Sequence, residues 1–580
     1  MLPKIPTTAY QYRPSIPIAL YSSDQVYTME QDWFAQGYSG FALMKQAAWQ
    51  IAQHIIQLNE HSIKSKDAHN CQSSTSQKLR ACVWVGQGNN GGDGWLIAYY
   101  LQQVGWHVQI ITVGITDLKG DIQAKNVDDT SLSDALKAQQ IALAAHCPYQ
   151  RFEDSQYYQN ENAQLDTALQ ADVYIDALFG IGLDRAPKGV YQQAIIAFNK
   201  LAKQTGAGAL VVAVDIPSGL VASTGQVFEQ LAIQADFTLC LVARKFGLHT
   251  KDGADYAGQV IDIPLIPYEP IQPAAWLLNR TYCLSSRQQN SYKGSYGHVL
   301  IIGGNRIDGS QGMGGAAILS SASSMATGAG KITVACHDAF HGALLTSLPD
   351  AMTIDLHDQG GVKNLIKDAS VIAIGMGLGR DNAAKELFIS YVQAAIEQKC
   401  TIVIDADGLY HLASLYKDNH KLINSLREYS RKHRVCLTPH SGEAARLLDL
   451  SINEVENGRL AAIKQCADLY GGDWVLKGSG SLVSEQGQVY VCNVGNAGMA
   501  TAGMGDVLSG ITAGLLAQQD LDNEQRSLRQ AVLIHGLAGD QLTNQSNSAI
   551  NSKLLLIGQR GLQAQDMPAA IRHVMQMYTH

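Results

Sequence analysis

Short apolar runs that end in glycine or aspartate punctuate this chain, and they restrict its fold more than any other feature. Before residue 264 the runs are ACVWV (81–85), HVQIITV (107–113), VYIDALF (173–179), ALVVAVDI (209–216) and FTLCLVA (237–243). After residue 284 come HVLIIGG (298–304), KITVAC (331–336), VIAIGMG (371–377), TIVIDADG (401–408), VCLTP (435–439) and DWVLKG (473–478). Most are continuously apolar, and helical patterns lie between them. A strand that is apolar on both faces needs cover on both faces. The pattern therefore predicts mostly parallel sheets flanked by helices, an α/β fold in each half of the chain. SLVSEQGQVYVC (481–492) alternates instead and predicts a hairpin. No sequence repeat relates the two halves.

A length of 580 residues exceeds what one domain comfortably holds. Pro264, Pro267, Pro270 and Pro273 crowd the middle of the chain, and proline this dense opposes both helix and central strand. The expected division is a domain over 1–270, a linker over 271–283 and a domain over 284–580. Three polar stretches, 61–80, 115–135 and 146–170, read as surface loops or insertions. With 46% hydrophobic and 16% charged residues, sizeable cores are available. A formal net charge of −8 argues against a polyanion-coating surface, so no nucleic-acid partner is expected. The ten cysteines form no CxxC pair and several lie in apolar runs, which fits free thiols in a reducing compartment. Pro3, Pro6, Pro14 and Pro17 interrupt the N-terminus, which makes a poor signal peptide, and no run approaches the ~18 apolar residues of a membrane helix. A cytoplasmic protein is expected.

In the N-terminal half, Gly86, Gly88 and Gly91 satisfy GxGxxG within GQGNNGGDG, after a strand and at the opening of a helix. That context places backbone N–H groups and a helix N-terminus around a phosphate; a tight turn is the competing explanation. Asn89, Asn90 and Asp93 add amide and carboxylate oxygens where a phosphate loop would want none. Asp176 and Asp215 end two further strands. In open α/β sheets ligands sit at the carboxyl ends of strands, so Asn90, Asp176, Asp215 and Ser218 are candidates for one crevice, with hard oxygens suited to a cation. Each acid taken singly also fits a helix cap or a satisfied loop residue.

In the C-terminal half, NAGMATAGMGD runs from Asn496 to Asp506 and leads into VLSGITAGLLA. A glycine loop entering a helix can stabilise charge on a transferring phosphoryl group, and an aspartate at its mouth can accept a proton from an attacking hydroxyl. An N-capping aspartate is the alternative. Lys477, Gly478, Ser479, Gly480 and Ser481 end another strand and suit a nucleotide's ribose and phosphate. His440, in TPHSGE, suits a substrate contact or a structural role. Gly375, Gly377 and Gly379 permit close backbone approach, and Asp405 and Asp407 end a further strand.

The motifs GQGNNGGDG, DALFGIGL, VDIPSG and ARKFGLHT, in that order, resemble the NAD(P)H-hydrate epimerase family from about Ser22 to Pro264. The resemblance implies a Rossmann-like three-layer domain and a potassium ion held by Asn90, Asp176 and Ser218. It also implies substrate contacts from Asn89, Asn90, Gly91, Gly92 and Asp93, from Gly180, Ile181, Gly182, Leu183, Asp184, Arg185 and Ala186, and from Asp215. Asp215 is the candidate acid–base group, on position alone. From about Leu284 onward, YKGSYGHVLIIGG, GGAAILSSASSMATGAGKITV, IGMGLG, VIDADGL, LTPHSGEA, VLKGSGSLV and GNAGMATAGMGDVLSG resemble the ADP-dependent NAD(P)H-hydrate dehydratases of the ribokinase-like superfamily. By that resemblance Lys477 to Ser481 and Gly505 bind the adenine nucleotide. Ala316, Gly377, His440 and Asp506 contact the hydrate, Asp506 is catalytic, and magnesium assists ADP. Tyr292 stands where the family commonly has histidine, Ala502 where a further glycine is usual, and Ser481 where threonine is frequent. The expected whole is a homo-oligomeric metabolite-repair enzyme acting on small molecules. The rival readings are a vitamin or sugar kinase in the C-terminal half and a non-catalytic binding module in the N-terminal half.

Overall fold

A computed structural model describes residues 18–67, 78–115, 132–159, 169–204, 209–268, 271–278, 283–306, 312–543 and 557–579. The N-terminal prolines, Pro270 and the middles of the three polar stretches lie outside the described residues. The strands are β1 (Ile18–Leu20), β2 (Arg80–Val85), β3 (His107–Thr112), β4 (Tyr149–Arg151), β5 (Val173–Ala177), β6 (Leu210–Val214), β7 (Phe237–Leu241), β8 (Gln259–Ile263), β9 (Ala275–Leu278), β10 (His298–Ile302), β11 (Lys331–Cys336), β12 (Met352–Asp355), β13 (Val371–Ile374), β14 (Thr401–Ile404), β15 (Val435–Leu437), β16 (Asp473–Leu476), β17 (Ser481–Glu485) and β18 (Gln488–Cys492). Two compact units divide the chain, one spanning Ala19–Ala275 and the other running from Trp276 onward.

The first unit is built on a seven-stranded sheet in the order β4-β3-β2-β5-β6-β7-β8, with every pairing parallel. Strand β2 shows why the apolar runs read as they do. Ala81, Val83 and Val85 pack with Trp95 and Leu96 on one face, while Cys82 and Trp84 pack with Tyr174 and Phe198 on the other. Burial on both faces demands an apolar residue at each position, which is why the run is continuous rather than alternating. The chain leaves β2 toward β3 on one side, and β5 lies on the other. That makes the gap beyond the carboxyl ends of β2 and β5 a topological switch point, where ligands bind in sheets of this kind.

In the second unit the order is β9-β18-β17-β16-β15-β14-β13-β10-β11-β12. From β15 through β12 the pairings are parallel. Strands β17 and β18 form the expected antiparallel hairpin, and β17 also runs antiparallel to β16. The stretch expected as a linker contains β9, which pairs parallel with β18. The switch point here lies between β10 and β13. Helices Gly314–Thr327 and Met504–Ala517 pack closely over it. A Cβ on Gly510 would fall 2.1 Å from the Ser320 carbonyl oxygen, so only glycine permits the approach that seats the second helix.

Candidate active sites

The N-terminal crevice begins where β2 gives way to helix Asn89–Gln103, whose cap position is Gly88. The Gly86 N–H donates to the Ala177 carbonyl at 3.1 Å, tying the loop to β5. A Cβ on Gly91 would lie 1.9 Å from the Gly86 carbonyl oxygen, whereas one on Gly88 would meet no atom of the described residues within 4 Å. Packing thus accounts for Gly91, while the open side of Gly88 is free for a ligand. Asn89 is exposed, Gly91 and Gly92 are buried, and Asp93 is 8% exposed.

Asn90, Asp176 and Ser218 meet around Phe179. The Asn90 amide donates to the Phe179 carbonyl at 2.7 Å, while its Oδ1 is buried with no hydrogen-bond partner among the described residues. Asp176 is fully buried and accepts from the Ser218 hydroxyl (2.6 Å), the Ser218 N–H (2.7 Å) and the Leu178 N–H (3.2 Å). Burial pushes its carboxyl up to about 6, against the pull of those hydrogen bonds. An orphaned amide oxygen beside a buried carboxylate that has no cationic side chain in contact, among the described residues, is a donor set that fits a monovalent cation. Gly180 lies beside Asn90, since a Cβ there would be 3.5 Å from the Asn90 Cβ. Ile181 is half-buried among apolar neighbours. Gly182, Asp184 and Arg185 are exposed, and none of the crevice hydrogen bonds between described residues reaches Leu183 to Ala186.

Asp215 follows β6 with φ +69°, a left-handed conformation costly for a residue with a Cβ. Its Oδ1 accepts from the Leu241 N–H at 3.0 Å and from the ammonium of Lys245. Lys245 is buried, and Asp215 and neighbouring groups hold its ammonium above its ordinary range although burial opposes the charge. Burial, with Asp215 and Glu30 adding to it, raises the Asp93 carboxyl well above the usual carboxylate range. Glu30, from helix Ser23–Ala35, is itself raised, first by burial and then by Asp215. Sequence reading singled out neither Lys245 nor Glu30. Lys245 stands within the motif ARKFGLHT, and a lysine among apolar residues beside a strand end was the available signal.

In the C-terminal unit, Asp506 is the third residue of helix Met504–Ala517, and the cap position belongs to Gly503 at φ +89°. The capping alternative therefore does not describe Asp506. Burial and the nearby Asp405 push its carboxyl up to about 7, with Lys477 pulling the other way. Lys477 reaches Asp405 at 2.9 Å and Glu443 at 3.8 Å, and the Ser509 hydroxyl donates to the other Asp405 oxygen at 2.5 Å. A Cβ on Gly505 would stand 3.1 Å from the Lys477 ammonium. Lys477, Gly505 and Asp506 thus converge with Asp405, Glu443 and Ser509.

The Ser481 hydroxyl closes its own turn, accepting from the Gly478 N–H at 3.2 Å and donating to the Gly478 carbonyl at 2.9 Å. Beneath this loop the buried Arg459 donates to the Leu476 carbonyl at 3.1 Å. Ala316 and Gly377 are adjacent, since a Cβ on Gly377 would lie 3.4 Å from the Ala316 Cβ. Asp407 pairs with Arg380 at 2.7 Å and accepts from the Gly379 N–H at 3.0 Å. The His440 ring caps helix Ser441–Leu448, its Nδ1 accepting from the Gly442 N–H at 3.0 Å. Its Nε2 stands 3.5 Å from Glu443, which links it to Lys477. His535 also went unread in the sequence; burial lowers its imidazole to about 4, and its Nε2 has no partner among the described residues.

Both units place acids and a glycine-led helix N-terminus at the carboxyl ends of parallel strands. Together the fold and the sites define a two-unit α/β enzyme of small-molecule chemistry. Residues 299–558 match the family model described as NAD(P)H-hydrate dehydratase, and residues 40–247 match that described as YjeF-related protein N-terminus. The bifunctional NAD(P)H-hydrate repair enzyme of Coxiella burnetii is 34% identical over 502 residues, 85% of this chain and 89% of that protein. Its counterpart in Escherichia coli is 30% identical over 518 residues, 87% of each chain. A crystal structure of a ribokinase-like superfamily protein from Enterococcus faecalis aligns with 29% identity and a TM-score of 0.42, covering 51% of this chain and 93% of that one. The chain belongs to the family of bifunctional NAD(P)H-hydrate repair enzymes.

Proposed function

We propose that the N-terminal half, residues 1–270, interconverts the R and S hydrates of NADH and NADPH, and that residues 284–580 dehydrate the S form with ADP, yielding AMP and phosphate. The observation that carries this reading is the convergence of Asp506, Lys477 and Asp405 at a glycine-led helix entry, in a chain whose family is bifunctional hydrate repair. A carboxyl raised to about 7 can exchange protons near neutrality, as a general base must. Asp506 takes the proton of the C6 hydroxyl as that oxygen attacks the terminal phosphorus, and the bond from phosphorus to the AMP oxygen breaks. Phosphate then leaves C6 with the C–O electron pair, pushed by the ring nitrogen, and loss of the C5 proton restores the dihydronicotinamide. Phosphorylation makes hydroxide a good leaving group, which is how a kinase scaffold serves a lyase. The Met504–Ala517 N-terminus and Lys477 face the phosphates. Magnesium carried in with the nucleotide would supply charge neutralisation to its phosphates; among the described residues no three acids or imidazoles are grouped to hold a metal ion by themselves, and Asp405 is already taken by Lys477 and Ser509.

In the N-terminal unit Asn90, Asp176 and Ser218 would hold potassium, whose charge would help to order the crevice around an anionic substrate. Asp215 moves the proton at the C6 oxygen as it departs and returns, and the loop from Asn89 to Asp93 takes the substrate phosphates with the Gly180–Ala186 segment beside it. We also place the enzyme in the cytoplasm as a homo-oligomer. Among the described residues no helix is long and apolar enough to cross a membrane. The test incubates the purified chain with the S hydrate and ADP. Regained near-ultraviolet absorbance of the dihydronicotinamide, with one AMP per molecule repaired, is expected. A stable phosphoester with no regained absorbance would favour a vitamin or sugar kinase.

A further inference from the structure

We propose that Lys245 is a positioning residue of the N-terminal site: its buried ammonium grips Asp215 through Oδ1, so that Oδ2 is presented to the crevice. This rests on the epimerase reading of that unit. Lys245 is 1% exposed, and an ammonium withdrawn from water in this way persists only where it is paired. Its partners are the Asp215 carboxylate, the Leu241 carbonyl at 2.7 Å and the Cys240 thiol at 3.6 Å. The Leu241 N–H also donates to Asp215 Oδ1. Both donors therefore use the same oxygen, and among the described residues none donates to Oδ2. The backbone is bent to make this grip, with Asp215 at φ +69° and the β-branched Val242 at φ +62°. Strain at one member of an ion pair and three residues before the other is typical of a site where geometry is fixed for function.

Three carboxyls share this crevice, because Asp93 and Glu30 both lie within electrostatic range of Asp215. Only Asp215 has an ammonium in contact. Lys245 thereby sets Asp215 apart from the other two, whose carboxyls burial raises above the usual range. Behind Lys245 stand Cys240 and the Arg244–Asp262 ion pair, which complete the charged groups around it.

The experiment follows R-to-S interconversion against pH in the full chain for wild type, Asp215→Asn, Lys245→Met and the double variant. Dehydration of the S hydrate reports that each variant retains its second site. Lys245→Met should lower the rate at neutral pH about 10²-fold and move the acidic limb of the profile up by about one pH unit or more, so that part of the loss returns at high pH. Added to Asp215→Asn, it should cost nothing further, because the two act as one unit. A loss equal at every pH, or losses that multiply in the double variant, would overturn the role of Lys245. If Lys245→Met fails to fold, comparison of the double variant with Asp215→Asn still decides, since it removes both buried charges together. A wild-type chain that does not interconvert the hydrates would overturn the epimerase reading itself.

Discussion

Asp506 carries most of the weight at the scale of single residues. Asp506→Asn keeps the size of the side chain but cannot take a proton. Dehydration of the S hydrate should fall by about 10²–10⁴, with ADP still bound and epimerisation preserved. Near-wild-type turnover would remove Asp506 from the mechanism. The same substitution has a stability signature. The Asp506 carboxyl is raised to about 7 in the folded chain, above its unfolded value near 3.9. Folding therefore takes up a proton between those two pH values, and the penalty is absent below about pH 4 and grows as pH rises toward about 7. Thermal melts should show Asp506→Asn more stable than wild type at neutral pH and equal to it at about pH 4. Asp176, Asp215 and Asp405 were legible because each lies toward the end of an apolar run, and Asp506 because a glycine loop leads into its helix. Ser218 and Lys477 were legible within their own motifs, but Ser509 and Lys245 were not, each lying far in sequence from the acid it holds: Ser509 is 104 residues from Asp405, and Lys245 is 30 from Asp215.

Among the elements, the central strands were readable for the reason that β2 illustrates, burial on both faces. Strands β4, β8, β9 and β12 escaped notice because they are edge or short strands whose sequences, YQR, QVIDI, AWLL and MTID, mix polar with apolar residues or sit beside prolines. An edge strand buries less and is held by its neighbour's hydrogen bonds, which leave no mark on composition. The β2-to-helix loop was legible as a glycine motif, but its three glycines do different things. Gly91→Ala forces a Cβ into the Gly86 carbonyl, and overpacking of that kind costs about 1–3 kcal/mol. Trp84 and Trp95 lie in the packed cores on either side of β2 and report on this unit by fluorescence. Their urea transition should move to lower concentration in Gly91→Ala; an unmoved midpoint would show that the loop relaxes freely.

At the scale of the whole molecule, each unit has its own sheet, its own switch point and its own carboxylates, so the two activities should be separable by a point change. The α/β class and the two-part organisation were visible in the apolar runs and the proline cluster. The strand at Ala275–Leu278 was not, because proline density argued against pairing there. The most direct measurement supplies a mixture of R and S hydrates with ADP to the intact chain and to Asp176→Ala. Asp176 is fully buried at the proposed N-terminal cation site, and its hydrogen bonds go to Ser218 and Leu178. Wild type should restore the dihydronicotinamide absorbance of the whole mixture, while Asp176→Ala should restore the S fraction at nearly the wild-type rate and leave the R fraction behind. Recovery of only the S fraction by wild type, or equal slowing of both fractions in Asp176→Ala, would contradict two independent repair sites in one chain.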